Sequence, residues 1–595
     1  MKKALLFTSA GVFAIVVYLA SCAKMVAPSG GPKDVDPPVV VKSLPPQNSI
    51  FFKGKSIQIT FNEYITLDKL NEKFMISPPM DRKPEISLRG KTLKIEFSEE
   101  LKDSVTYTLY FQDAIRDLNE GNPLVNFQFV FSTGGYIDSL SVTGNVFMSY
   151  SLNPSKNVLV MLHSELADSA PRKRIPDYVT IASETGFFRI NNVKPGKYRL
   201  YALSDNNNNK LYDLQDEAFA FYDHVIDVSP ESNYLSPGED SLMNGSRVDS
   251  LKRPIPVEGD YQLYLFTAPV KKYYLTSSTR SMQYKLVYTL SRPPDSLAFD
   301  FIADEKDKFL IEKNATGDTM TVWILESLLW SQQEIRTLIK YPFTDSTDNL
   351  VYRTDTIPMR YFAVKPVRGK EKREILSITT NISGGFLKPG QNIMLASAIP
   401  LLEPDTSGIK LYLAEKDKRT VIPYQLFADT TDRKRYILKA KLAEEMRYQL
   451  ITTRGAFRSI YGIVSDSAAF TFTVRPESSF GHLTVILNNG EGKMIVQLLD
   501  KSEKVIAEQK AEANERVLFP FLEKGTYRLR VIYDFNGDGR WNTGDYDLKL
   551  QPEPVSFYPD EIDVKTDWRI EQEWDVGRRN EKSWKLRDIK QQQTR

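Results

Sequence analysis

Alternation with a period of two residues runs through most of this chain of 595 residues. Ile57, Ile59 and Phe61 share one face, as do Leu93, Ile95 and Phe97, then Tyr107, Leu109 and Phe111, then Phe127, Phe129 and Phe131. Successive side chains of a strand point to opposite faces, so each trio predicts a half-buried strand. Turn residues separate them: Lys53-Gly54-Lys55, Pro78-Pro79, Arg89-Gly90-Lys91 and Glu120-Gly121-Asn122-Pro123. Several short strands spaced in this way predict an antiparallel sandwich, and no amphipathic helix of useful length interrupts them.

The plan then recurs. Tyr448, Leu450 and Thr452 lead into Gly455-Ala456-Phe457-Arg458, as Tyr107, Leu109 and Phe111 lead into Asp113-Ala114-Ile115-Arg116. Gly525-Thr526-Tyr527-Arg528-Leu529 repeats Gly196-Lys197-Tyr198-Arg199-Leu200 at an offset of 329, and the register continues beyond it. Repetition at this scale predicts an array of similar modules. The expected fold is all-β, a tandem array of antiparallel β-sandwiches. The expected units are 39–134, 138–228, 260–368, 374–475 and 480–576. Residues 229–259 have linker composition. Trp568, Ile570, Gln572, Trp574 and Val576 alternate as a final strand, and the tail 577–595, with seven basic and two acidic residues, lacks the apolar content of a folded segment.

Particular phrases carry resemblances. PPVVVKSLPPQNSI, KSIQITFNEYI, KTLKIEFSEEL, VTYTLYFQDAIRDLNEGNP and FQFVFSTG, all within 38–134, resemble the bacterial Ig-like domain of S-layer-type surface proteins, whose modules have no catalytic residues. The tether phrase SGGPKDVDPP is similar to lipoprotein members of that family. Thr185-Gly186-Phe187-Phe188-Arg189-Ile190 and Val193-Lys194-Pro195-Gly196-Lys197-Tyr198-Arg199-Leu200 resemble the transthyretin-like sandwich of carboxypeptidase regulatory domains. The resemblances imply Ig-like folds for 39–134, 260–368 and 374–475, and transthyretin-like folds for 138–228 and 480–576.

The N-terminus gives an address. Met1-Lys2-Lys3 precedes an apolar run from Ala4 to Ala20, the form of a secretory signal over 1–21. Leu19-Ala20-Ser21-Cys22 resembles a bacterial lipobox. The resemblance implies cleavage before Cys22, diacylglycerol and palmitate-type acyl chains on Cys22, and anchorage of the tether 22–38 to a membrane. A multi-acyl anchor holds far better than a single chain. Ala23, rather than Asp, resembles a signal for the outer membrane. The first acid is Asp34, and the lack of an acidic cluster after Cys22 leans towards the periplasmic face over the cell surface.

Composition narrows the function. Lys+Arg is 78 and Asp+Glu is 76, and loss of Lys2 and Lys3 with the signal leaves the two counts equal. A neutral body excludes global attraction to nucleic acid. The single cysteine excludes a disulfide framework and a thiolate cluster. His163, His224 and His482 are too scattered for a His-rich metal site. Gly54-Lys55-Ser56 and Gly90-Lys91-Thr92 end like phosphate loops, but Ser49 and Glu85 stand where the upstream glycine is required. Neither a G-x-S-x-G elbow nor an H-E-x-x-H sequence occurs. Asp138-Ser139-Leu140, Asp168-Ser169-Ala170, Asp240-Ser241-Leu242, Asp295-Ser296-Leu297 and Asp466-Ser467-Ala468 resemble the O-glycosylation acceptors of some periplasmic proteins, though Asp-Ser pairs also favour turns.

Two acidic loops carry the clearest constellation. Asp205, Asn207, Asn209, Asp213 and Asp216 occupy positions 1, 3, 5, 9 and 12 of one loop, and Asp534, Asn536, Asp538, Asn542 and Asp545 occupy the same positions of the other. That spacing resembles the calcium loops of EF-hands and dockerins, with the carbonyls of Leu211 and Arg540 at position 7. The expected cofactors are structural calcium and the lipid on Cys22. Gly539 at position 6 suits the turn, whereas Lys210 strains it. The expected function is a non-catalytic envelope lipoprotein that acts as a structural, adhesive or binding scaffold. Its partners would be the membrane, through the anchor, and an envelope protein or glycan. The alternatives are an accessory or catalytic component of polysaccharide processing, or an assembly factor for an outer-membrane machine.

Overall fold

The first sandwich places its strands as the alternation predicts. The computed structural model describes residues 34–230, 260–294, 296–362, 374–414 and 419–579. The signal, Cys22, most of the tether, nearly all of the expected linker and most of the basic tail lie outside these residues. One sheet orders Val40–Leu44, Ser56–Phe61, Thr92–Glu96 and Glu85–Arg89. The facing sheet orders Met75–Ser77, Thr106–Tyr110 and Gln128–Ser132. Ile57, Ile59, Leu93, Ile95, Leu109, Phe111, Phe129 and Phe131 fill the space between them. Lettered A to G in chain order, the seven strands form an ABED sheet and a CFG sheet, the immunoglobulin constant-type arrangement. Gly90, with φ +61°, forms the tip of the hairpin between Glu85–Arg89 and Thr92–Glu96.

The third unit has the same topology. Leu275–Met282, Lys285–Leu290, Thr319–Ile324 and Phe309–Lys313 form the ABED sheet, and Asp300–Ile302, Glu334–Thr344 and Leu350–Arg360 form CFG. In the fourth unit, Thr379–Thr380, Ile393–Ala396, Arg435–Ala440 and Tyr424–Ala428 make the first sheet. The second runs Phe386–Leu387, Ala468–Val474, Arg447–Thr452, Ile409–Ala414, Arg419–Val421, so one strand is added at each edge of CFG. Units three and four are packed together. The rings of Tyr284 and Tyr461 stack at 4.0 Å, and Lys434 pairs with Glu312 at 3.2 Å.

The second and fifth units share a different plan. In the fifth, Gly481–Asn488 lies between Arg516–Leu522 and Arg569–Asp575. The other sheet orders Val505–Glu512, Lys493–Leu499, Gly525–Asp534 and Val555–Phe557, with Ile562–Val564 also on Gly525–Asp534. The second unit repeats this with Leu140–Met148 between Phe187–Val193 and Tyr261–Thr267, beside Tyr178–Ile181, Leu159–His163, Gly196–Leu203 and Ala218–Phe221.

Here the structure corrects the expected boundaries. Tyr261–Thr267 pairs in parallel with Leu140–Met148, from Gly144 opposite Tyr261 to Met148 opposite Leu265. It therefore closes the second unit rather than opening the third, just as Arg569–Asp575 closes the fifth against Gly481–Asn488. A parallel pair needs a long crossover. Here that connection includes the unit's other strands, from Leu159–His163 to Ile226–Val228, and the linker composition of 229–259 conceals the continuity.

The second unit also buries His163, 1% exposed, with its Nε2 making no hydrogen bond among the described residues and its ring edge-on to Tyr201 at 5.6 Å. Burial lowers its pKa from 6.5 to about 4, against the pull of Asp177. The unfolded chain takes up this proton below about 6.5, whereas the folded chain takes it up only near 4. The stability that rests on neutral His163 is thus complete above that window and is lost as pH falls through it, by roughly 3 kcal/mol in all. Urea midpoints between pH 7 and pH 4 should therefore fall more steeply for the native chain than for His163→Leu. Parallel slopes would show that the imidazole is not excluded from water.

Candidate functional site: two acidic loops and a buried interlock

Each acidic loop leaves the end of a central strand and folds on its own side chains. In the first, Asp205 Oδ1 accepts from Asn209 N at 3.1 Å, Asp205 Oδ2 from Lys210 N at 2.9 Å, and Asn209 Oδ1 from Leu211 N at 2.7 Å. In the second, Asp534 Oδ2 accepts from Gly539 N at 2.8 Å, Asn536 Oδ1 from Asp538 N at 2.9 Å, and Asp538 Oδ1 from Arg540 N at 2.8 Å. Positions 4 and 6 are left-handed in both, with φ of 59° and 62° at Asn208 and Lys210 and of 72° and 76° at Gly537 and Gly539. Lys210 therefore holds a conformation that glycine adopts freely and lysine does not.

Position 12 does not take part. Asp216 is exposed on the surface. Asp545 is buried, but its Oδ1 holds Lys271 Nζ at 2.7 Å. Glutamates that the spacing did not single out close the loops instead. Glu217, fully buried, accepts from Asn206 N at 3.1 Å, Asp213 N at 3.2 Å and Leu214 N at 3.1 Å. Glu553, 6% exposed, accepts from Phe535 N and Asn542 N, both at 2.9 Å. Burial pushes the Glu553 carboxyl up, and the Asp534 carboxylate nearby pushes it the same way. The match was visible in a second register: Glu217-Ala218-Phe219-Ala220-Phe221-Tyr222 parallels Glu553-Pro554-Val555-Ser556-Phe557-Tyr558, displaced by seven further residues inserted after the second loop. Among the described residues, no three acidic, histidine or cysteine side chains converge closely enough to hold a metal ion.

The insertion has its own task. Tyr546, 3% exposed, lies on the outer face of the second unit's sheet, its ring 5.0 Å from Phe219, 5.2 Å from Phe221 and 5.9 Å from Tyr201. Its hydroxyl meets that of Tyr201 at 3.1 Å and donates to the carbonyl of Asp168 at 2.9 Å. The exchange is reciprocal. From the second unit, Leu152 packs among Ile495, Leu499, Ile532, Val555 and Phe557 of the fifth. Beside it Tyr150 covers Arg530, with the guanidinium 3.9 Å from the ring centre. Arg530, 3% exposed, donates from Nη2 to the Tyr150 hydroxyl at 2.7 Å, and from Nε and Nη2 to Gln497 Oε1 at 2.8 and 2.6 Å. Burial lowers its pKa, yet a guanidinium stays charged in proteins. Around this core Lys271 bridges Asp545 and Asp547, Arg172 pairs with Asp547 at 2.8 Å, and Lys549 pairs with Asp168 at 2.9 Å. Units two to five therefore form a closed circuit: the chain leaves the second unit, passes through the third and fourth, and returns in the fifth to lock onto the second.

Of the Asp-Ser pairs, Ser139, Ser169 and Ser467 are exposed, whereas Asp138 is buried with its carboxylate on Thr106 Oγ1 at 2.9 Å. Asp240-Ser241 and Asp295 lie outside the described residues.

Residues 34–133 match the family described as a bacterial Ig-like domain, which agrees with the ABED/CFG sandwich found there. No curated protein matches the chain. Among solved structures, the chain is similar to BcpA, the major pilin subunit of Bacillus cereus, at 10% identity, covering 74% of this chain and 99% of that one with a TM-score of 0.13. It is similar to the S-layer protein SbsC, at 11% identity over 84% of this chain and 67% of that one with a TM-score of 0.13. It is also similar to the BSP domain of a biofilm-associated protein, at 11% identity over 91% and 99% with a TM-score of 0.14. At such scores the chains do not superpose as wholes.

Proposed function

We propose that this chain is a non-catalytic lipoprotein of the cell envelope, held by acyl chains on Cys22 in the outer membrane and facing the periplasm. Its work is structural or adhesive: it holds a rigid frame of sandwiches against another envelope component, a protein or a glycan. The observation that carries this reading is the interlock. A chain that commits Arg530, Tyr150 and Tyr546 to fixing its second unit against its fifth is built to keep a shape. The Ig-like domain at 34–133 is in keeping with the same reading.

Two measurements test it. Cys22→Ala should abolish incorporation of labelled palmitate and release the protein from the outer-membrane fraction, and unchanged fractionation would overturn the anchor. Crosslinking in cells followed by capture of the tagged chain should recover one envelope partner in fixed ratio. Hydrolysis of envelope polysaccharide by the purified protein would overturn the scaffold in favour of an enzyme.

A further inference from the structure

The two acidic loops share a turn but not a state of satisfaction. In the first, both carboxylate oxygens of Asp205 accept backbone N–H groups. Both oxygens of Asp213 are taken by the side-chain amides of Asn207 and Asn209, at 3.1 and 2.8 Å. Lys210 adds an ammonium that feels the Asp205 carboxylate. The first loop is complete without an ion.

The second loop is not. Asp534 is 5% exposed, and while its Oδ2 accepts from Gly539, its Oδ1 is buried with no hydrogen-bond partner among the described residues. A buried carboxylate oxygen left bare costs more than almost any other polar group, and native interiors rarely contain one unless an ion or water serves it. Glu553 places a second buried carboxylate next to it. Asn536 and Asp538 supply further oxygens, and Asn542, whose Nδ2 rests on Asp538 Oδ2 at 3.1 Å, presents an oxygen instead once its amide turns over. Together with the carbonyl of Arg540, these oxygens approach the six to eight that calcium requires at about 2.3–2.6 Å.

We propose that the chain holds a single calcium site, built by Asp534, Asn536, Asp538 and Glu553, and that the loop containing Asp205 is its filled-in, ion-free counterpart. This inference is independent of the envelope role. Glu553 replaces Asp545 as the closing ligand, because Asp545 is committed to Lys271. Binding draws Asp538 and Asn542 inward, since the carboxylates do not converge as they stand. The ammonium groups of Lys493 and Lys510 lie over Gly537 and Gly539 and weaken the site, which places its dissociation constant on the order of 10⁻⁴ to 10⁻³ M.

The test uses the full chain and two metal probes, calcium chloride by calorimetry and terbium by luminescence sensitised through Trp541, which lies within the loop. The expected result is one ion per chain, with Asp534→Asn and Glu553→Gln each weakening binding about tenfold or more, and Asp205→Asn leaving it unchanged. Asp538→Asn, at an exposed residue, repeats the test should either buried variant fail to fold. No heat and no luminescence with the native chain would overturn the proposal. So would two ions per chain, equal loss in Asp205→Asn, or full binding retained by every loop-two variant.

Discussion

Tyr546→Ala is expected to detach the fifth unit from the second. The substitution removes a fully packed ring from a nest of Tyr201, Phe219 and Phe221, and truncation of a buried aromatic costs about 3–5 kcal/mol. It also strips the Asp168 carbonyl and the Tyr201 hydroxyl of their partner. No loss inside either sandwich core is involved, because the ring lies outside both. Each unit should therefore stay folded while the contact between them opens. Small-angle scattering should show a larger radius of gyration, and a thermal scan should separate transitions that coincide in the native chain. Tyr546→Phe, which keeps the ring, should cost only about 1 kcal/mol and keep the native dimensions. Unchanged scattering for Tyr546→Ala would mean that the contact contributes nothing to the shape.

Gln497→Leu should be nearly as damaging, for an electrostatic reason. Arg530 is a buried cation whose donors rest on three neutral acceptors, Gln497 Oε1, the Tyr150 hydroxyl and the Tyr150 carbonyl. Removing Gln497 Oε1 leaves Nε without its acceptor while the charge remains, and charged hydrogen bonds are worth about 1.5–3 kcal/mol each. Replacing the cation as well should reverse most of the loss, since a buried polar group costs most when only one partner is removed. Chemical denaturation of Gln497→Leu, Arg530→Met and the double variant should thus give a double variant more stable than the sum of the singles predicts. Additive losses would show that Arg530 and Gln497 act independently.

The sandwiches were legible because their signal is local. Ile57, Ile59 and Phe61 alternate in sequence and are buried in the structure, and the same holds at Leu93 and Ile95. What could not be read was whatever depended on distant partners. Tyr261–Thr267 has a strand's alternation, but nothing in its own residues says that its neighbour is Leu140–Met148 across a linker-like segment. Glu553 escaped the twelve-residue spacing because seven inserted residues separate it from the register of Glu217. Tyr546 stands between two aspartates and reads as loop, although it is the centre of a contact to residues more than 300 positions earlier. Lys210 is the opposite case, a violation of turn chemistry visible in the sequence and present in the fold with φ of 62°.

The closed circuit also decides how the molecule would carry tension. A pull between the N-terminal and C-terminal ends passes from the first unit into the second, crosses at Arg530 and Tyr546, and leaves through the fifth. Units three and four hang on a side branch, slack for as long as the crossing holds. Arg569–Asp575, the exit strand, is held in the fifth unit by its parallel pairing with Gly481–Asn488. Rupture at the crossing would release the side branch as hidden length before any sandwich unravels, and the contact could re-form on relaxation, the behaviour of a sacrificial link.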